Sequence, residues 1–266
     1  MSLIHPTAII HPDAQVEPGV TIGPYAVIDG GVRLGPGCWI GPHVHLTGRT
    51  TIGSDNRFHA GCVIGEAPQD LKYKGDPTRL VIGDGNVFRE HVTVHRSNTA
   101  SEDTTVGSNN FFMAHSHAGH NAKIGNQTII ANGALLGGHV EVGDRAFISG
   151  NCLVHQFVRI GTLALMQGGS AVSQDLPPYT VARGDNTICG LNIVGLRRAG
   201  FTSEQRLELK RLYHALFRRR GSLDAALEAA DAEFRSEWSR VLIDFVAAAK
   251  RGICANRRTS ENAEEE

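Results

Sequence analysis

A period of six residues governs the first two-thirds of this chain. Counting from Ile4, every sixth position reads Ile10, Val16, Ile22, Ile28, Leu34, Ile40, Leu46, Ile52, Phe58 and Ile64. The same phase resumes at Ile82, Phe88 and Val94, then runs from Val106 to Val172. Only Asp70 and Asp76 are polar in this phase between Ile4 and Val172. A small or β-branched residue tends to sit four positions after each anchor (Ala8, Ala14, Val20, Ala26, Val32, Cys38, Val44), and glycine often follows the anchor directly (Gly23, Gly35, Gly41, Gly53). A strand repeats every two residues and a helix every 3.6, so a period of six describes neither as a continuous element. It describes short strands separated by turns, each hexad forming one flat side of a coil, which is the pattern of a parallel β-helix. Three hexads close a triangular coil, so residues 18 apart stack at about 4.8 Å, the spacing of hydrogen-bonded strands.

The repeat breaks twice, over 66–79 ("EAPQDLKYKGDPTR") and over 97–105 ("SNTASEDTT"). In a solenoid such insertions are loops extruded from one face, often the binding face. The β-helix is expected over 1–176, followed by a loop-rich bridge at 177–200. A helical domain is expected over 201–255, opening on the capping box Thr202-Ser203-Glu204-Gln205 and continuing with Leu209, Leu212, Tyr213, Leu216 and Phe217 at helical spacing. The tail 256–266, "NRRTSENAEEE", is too polar to pack and is expected to be disordered.

A formal net charge of −1 gives the chain no global attraction for polyanions, which argues against nucleic acid as partner. Five cysteines without a close pair or CxxC suit a reducing compartment, where they serve as small apolar residues. No apolar run approaches a membrane span, and the first residues lack the order of a signal peptide, so a cytoplasmic protein is expected.

The densest chemistry lies in "MAHSHAGHN", with His115, His117 and His120. The 18-residue rule places His120 beside Gly138 and Gly138 beside Gln156, while Asn121 falls beside His139; His155 adjoins Gln156. Three readings compete for this stack. A zinc site needs imidazoles converging on the ion, usually with a carboxylate or thiolate, and none stands near "HSHAGHN". A general-base site needs one imidazole facing a backbone N–H that holds an oxyanion, which His120 and the Gly138 amide supply. Glycine there lets an acyl group approach the backbone. The third reading is solvated surface histidines.

These residues carry a resemblance. The segments "QDLKYKGDPTR", "VTVHR", "AHSHAGHN", "LGGHV", "VHQF", "QDLPPY" and "GLNIVGLRRAGF" occur in order over nearly the whole chain. With them the chain resembles the UDP-N-acetylglucosamine 3-O-acyltransferases of lipid A biosynthesis, hexapeptide-repeat proteins with a left-handed β-helix. The resemblance implies an acyl carrier protein as donor, UDP-N-acetylglucosamine as acceptor, a homotrimer with active sites between prisms, and no cofactor or metal. It implies His120 as base and Gly138 as oxyanion donor. Gln69, Asp70 and Lys72 would hold the sugar, with His117 and His139 lining the pocket; Gln156, Asn192 and Arg198 would hold the nucleotide. Gly168 stands at the acyl-chain ruler position, where a glycine leaves room for a relatively long hydroxyacyl chain. Lys210, Arg211, Arg218, Arg219 and Arg220 form a basic patch suited to an acidic carrier protein, or simply a solvated helix face.

Two positions depart from the family pattern. Asn121 stands where a carboxylate usually follows the base, and orients the imidazole without adding charge. Val194 stands where a glutamate is usual, removing a ribose contact. A variant UDP-amino sugar giving an amide, acetyl-CoA as donor, and, more remotely, a gamma-type zinc carbonic anhydrase remain as alternatives.

Overall fold

The computed structural model describes residues 3–218 and 222–255. Within them the hexads form three sheets of 11, 9 and 8 strands, most only two residues long, which wrap a parallel β-solenoid of triangular section. Each anchor pairs with the anchor 18 residues on, as in Ile22↔Ile40, Ala118↔Leu136 and Leu136↔Val154. Across the two loops the spacing lengthens: Phe58 pairs with Phe88, 30 residues on, and Phe88 with Phe112, 24 on. The insertions therefore add two hexads and one hexad, and whole hexads leave the anchor phase intact.

Anchors and the small residues four positions later fill the interior. From Val20 onward they form one buried column that includes Ala26, Cys38, Phe58, Cys62, Ala118, Ala134 and Cys152. The section is too narrow for two large side chains per side, hence the small residue opposite each anchor. Phe58, Phe88 and Phe112 stack with ring centroids 4.8 Å apart, one per coil. Beside them Asn56, Asn86 and Asn110 form a buried ladder, each Oδ1 accepting the next coil's backbone N–H at 2.7–3.0 Å. Unpaired turn amides there would each cost about 1–3 kcal/mol. Several corners demand left-handed backbone; Asn121 (φ 58°), His139 (φ 57°) and Phe157 (φ 66°) occupy it at the corner joining the second and third faces. Asparagine accepts that conformation readily, histidine and phenylalanine less so.

After the last coil, segment 177–200 carries more structure than a bridging loop. Strands Thr180–Ala182 and Ile188–Leu191 pair antiparallel, and helix α1 spans Ile193–Arg198 with Asn192 as its N-cap. Elements of three to six residues leave no periodic signature. Helix α2 (Ser203–Phe217) starts on the capping box of Thr202 and Gln205; α3 (Leu223–Glu233) and α4 (Glu237–Ala247) each start on a serine cap. Leu209, Leu212, Leu216, Phe234, Leu242 and Val246 form a second core that takes in Leu163 from the solenoid and Tyr179 from the segment after it. Arg159 locks the junction: its backbone N–H and Nε donate to the buried Asp175 carboxylate at 2.9 and 2.8 Å, while its guanidinium lies over Phe245 and donates to that carbonyl. Residues 256–266, and Arg219 and Arg220 of the basic patch, lie outside the described residues. Within that patch Arg211 pairs with Glu233 at 2.8 Å. No helix among the described residues is long and apolar enough to cross a membrane.

Candidate active site

Both inserted loops leave the solenoid at the corner between the second and third faces, and a cleft of about 790 Å³ opens beneath them. His120 and Gly138 line it together. A Cβ added at Gly138 would lie 2.6 Å from both Nε2 and Cε1 of His120, so the imidazole edge rests directly against the glycine backbone. Only a residue without a side chain permits this approach. Among the described residues no acceptor takes the Gly138 N–H.

The tautomer of His120 follows from its neighbours. Asn121 is 1% exposed, and its Oδ1 accepts from the backbone N–H of Asn98 at 3.0 Å, a donor that cannot reverse. Asn121 Nδ2 donates to Ser97 Oγ at 3.0 Å, and that hydroxyl donates to the Thr99 carbonyl at 2.7 Å. The amide is thus fixed, and its oxygen accepts from His120 Nδ1–H at 2.9 Å. Nε2, the atom against Gly138, is left with the lone pair. Thr104 Oγ1 accepts the Asn121 N–H at 2.7 Å and holds the corner itself. A neutral amide does here what a carboxylate does elsewhere for orientation, without its charge.

The other histidines differ in kind. His117 Nδ1 is 2.7 Å from Thr93 Oγ1, and burial, followed by repulsion from His95 and His120, pushes its pKa down to about 4. It is neutral at physiological pH. His139 stacks on Phe157 with centroids 4.5 Å apart and meets His120 edge-on at 5.2 Å; burial lowers its pKa although Glu102 lies 4.0 Å away. His115 stacks on His91 at another corner and does not line the cleft.

Gln69, Gln156 and His155 line the cleft beside the base. Asp70 stands on the first loop with its carboxylate below the ordinary range, because it accepts the Lys72 N–H and the Asn98 side-chain amide at 2.9 and 2.8 Å. The Lys72 side chain is exposed. Three expected residues, Asn192, Arg198 and Gly168, lie elsewhere on the chain. Asn192 is buried, with Nδ2 donating to the Leu163 carbonyl at 2.9 Å and Oδ1 capping α1 at Gly195 N–H. Arg198 and Val194 are exposed on α1. Gly168 is exposed at the opposite edge of the second face.

Sequence reasoning missed His95, Asn98 and the cleft's apolar wall. His95 is 5% exposed, lines the cleft and meets His117 edge-on at 4.8 Å; its Nδ1 has no hydrogen-bond partner among the described residues. The 18-residue rule could not place it, because the second loop makes the spacing 24 here. Leu135 and Leu153, half exposed in register with His117, continue the cleft down the second face. Their signal was partial: the same outward positions on the third face hold Lys123, Glu141 and Arg159, whereas "ALLGG" and "CLVHQ" put leucine there, but the first face also carries Ile129, Phe147 and Leu165. Among the described residues no three histidine, cysteine or carboxylate side chains are grouped to hold a metal ion.

A hexapeptide solenoid with an imidazole lone pair against a glycine backbone, above an apolar groove, defines the class of hexapeptide acyltransferases. Comparison with known proteins narrows the class. Residues 31–66 and 103–138 match the bacterial transferase hexapeptide repeat, and 175–254 match the second domain of UDP N-acetylglucosamine O-acyltransferase. An acyl-[acyl-carrier-protein]–UDP-N-acetylglucosamine O-acyltransferase of Thermodesulfovibrio yellowstonii is 45% identical over 96% of this chain and 100% of its own length. The same enzyme of Saccharophagus degradans is 44% identical over 95% and 99%. The solved UDP-N-acetylglucosamine acyltransferase of Francisella novicida superposes with a TM-score of 0.92 at 36% identity, covering 98% of this chain and 96% of that one. The chain belongs to the acyl-[acyl-carrier-protein]–UDP-N-acetylglucosamine O-acyltransferase family.

Proposed function

We propose that this protein transfers a (3-hydroxy)acyl chain from acyl carrier protein to the 3-hydroxyl of UDP-N-acetylglucosamine, the first step of lipid A biosynthesis, in the cytoplasm. The observation that carries the mechanism is His120 Nε2 against the Gly138 backbone. Nε2 takes the proton of the sugar hydroxyl as its oxygen attacks the thioester carbon. The carbonyl oxygen gains the negative charge and the Gly138 N–H receives it. Collapse of the tetrahedral intermediate breaks the carbon–sulfur bond, and the imidazolium returns its proton to the departing carrier thiolate. Gln69, Asp70 and Lys72 hold the sugar from the loop above, and His117 and His139 flank it. The acyl chain runs over Leu135 and Leu153, which give the cleft an apolar strip.

Asn192, bonded to the Leu163 carbonyl, and Arg198 on α1 do not line the cleft at His120 on the same chain. Their role toward the nucleotide, with Gln156, therefore requires a second copy, which supports a homotrimer with sites between prisms. Gly168 acts as ruler in the same intersubunit groove: an added Cβ there meets only the Gly150 carbonyl oxygen, at 3.5 Å, so a larger side chain fills open space. The test is mass spectrometry of products from a panel of acyl carrier protein donors with UDP-N-acetylglucosamine and its 3-amino analogue, with acetyl-CoA as competing donor. The ester from carrier-bound hydroxyacyl donor is expected, and its loss in His120→Ala. An undiminished rate in that variant removes the base; an amide product, or a preference for acetyl-CoA, replaces the acceptor or donor.

A further inference from the structure

Asn98 is not among the expected site residues, yet it touches both halves of the site. Its backbone N–H donates to Asn121 Oδ1 at 3.0 Å, and its side-chain Nδ2 donates to Asp70 Oδ2 at 2.8 Å. Asn121 Oδ1 is the atom that holds the base through His120 Nδ1. Asp70 is the residue that organises the first loop: its Oδ1 accepts the Lys72 N–H at 2.9 Å and its carbonyl accepts the Tyr73 N–H at 3.0 Å. Gln69, next in the chain, lines the cleft.

We propose that Asn98 is a positioning residue, a clamp that ties the 66–79 loop through Asp70 to the amide that orients His120. This rests on His120 being the base. The coupling is positional: the backbone N–H and the side-chain amide of Asn98 are separate donors, and no proton passes between them. Each donor can serve only one geometry. The corner at Asn121 is pinned independently by Thr104 and Ser97, so the base side is rigid and the loop side is the one that depends on the clamp. Asp70 is only partly buried on an exposed loop, so the hydrogen bond from Asn98 is what sets its distance from the base. The clamp also accounts for a carboxylate in this site despite the amide at position 121. The charge sits on the loop, at the far side of Asn98, where it aligns the loop rather than the imidazole. A hydrogen bond to a charged group is stronger than one between neutral partners. Its loss should therefore appear mainly in substrate binding.

Asn98→Ala keeps the backbone donor and removes the side-chain one. Steady-state kinetics should show the KM for the nucleotide sugar rising about tenfold or more, which is 1.4 kcal/mol per decade, with kcat and the acid limb of its pH profile little changed. A merely structural role would lower kcat and thermal stability without that split. Hydrogen exchange supplies a readout independent of turnover: the Lys72 and Tyr73 amides should lose protection in Asn98→Ala. They should regain it in the exchanged pair Asp70→Asn with Asn98→Asp, where donor and acceptor trade places. An unchanged KM together with unchanged protection overturns the clamp, and so does an exchanged pair no better protected than either single variant. Wild-type protein that transfers no acyl group would fail the proposed reaction instead, and the exchange measurement would still decide the clamp.

Discussion

The amide at position 121 makes a sharp prediction, because restoring a carboxylate there changes charge and almost nothing in shape. In Asn121→Asp the retained Oδ1 still accepts from Asn98 N–H at 3.0 Å and from His120 Nδ1 at 2.9 Å, now with a negative charge. An opposite charge within about 4–6 Å raises an imidazole pKa by about 1–3 units, and the partial exposure of His120 favours the lower end. The sign is determined: the carboxylate favours the imidazolium, so the base is protonated, and activity lost, at a higher pH than in wild type. The acid limb of kcat/KM should move up by about 1 unit, equal to about 1.4 kcal/mol. If all of that also reached the transition state, kcat on the plateau would rise about tenfold, an upper bound. Against it stands the lost donor to Ser97 Oγ, a net bond of about 1 kcal/mol in a buried position. The variant should therefore melt a few degrees lower while remaining folded. The assay is kcat/KM from about pH 5 to pH 9 with carrier-bound donor, alongside a thermal melt. A folded variant whose acid limb coincides with wild type refutes the idea that position 121 sets the protonation of the base.

Gly138→Ala should cost about 10²-fold in kcat/KM or more, since its Cβ would lie 2.6 Å from the ring of His120 and displace it, with a melting temperature near wild type. Stability should also depend on pH. The pKa of His117 is about 4 in the fold and 6.5 unfolded, so between these values the unfolded chain binds the extra proton. The contribution is present above about pH 6.5 and is lost as pH falls toward 4; replacing His117 with Gln should flatten the melting temperature over that window, and an unchanged slope would assign the dependence to other groups. At the junction, Asp175→Ala leaves the Arg159 guanidinium half-buried without its partner and should destabilise by about 3 kcal/mol in a denaturant titration. Gly168→Met should shorten the preferred acyl chain in a competition between carrier-bound donors, and an unchanged preference would remove Gly168 as ruler.

The limits of sequence reading follow the same geometry. A strict period of six, with small residues four positions after each anchor, leaves one economical solution, because only a narrow triangular coil needs that pattern. Stacking at 18 residues then joins His120 to Gly138 without any structure, since both follow the second loop and no insertion separates them. The rule fails for His95 and Asn98 because they precede or occupy the loop that adds a hexad, and nothing in "RSNTASED" announces that its insertion is a whole number of hexads. Hydrogen bonds between two irregular loops have no period to betray them, so Asp70 and Asn98 look unrelated in sequence although they are bonded at 2.8 Å. Asn121 is the instructive case. Read against a family pattern it is a defect, a carboxylate lost beside a base. In the fold it is a left-handed corner residue that uses its oxygen, its amide nitrogen and its backbone N–H at once. An aspartate could not donate to Ser97 Oγ, and that donation is part of what fixes the amide. Here orientation of the base is secured by a neutral network, and the Asp70 carboxylate is placed one residue further out, where it aligns the loop.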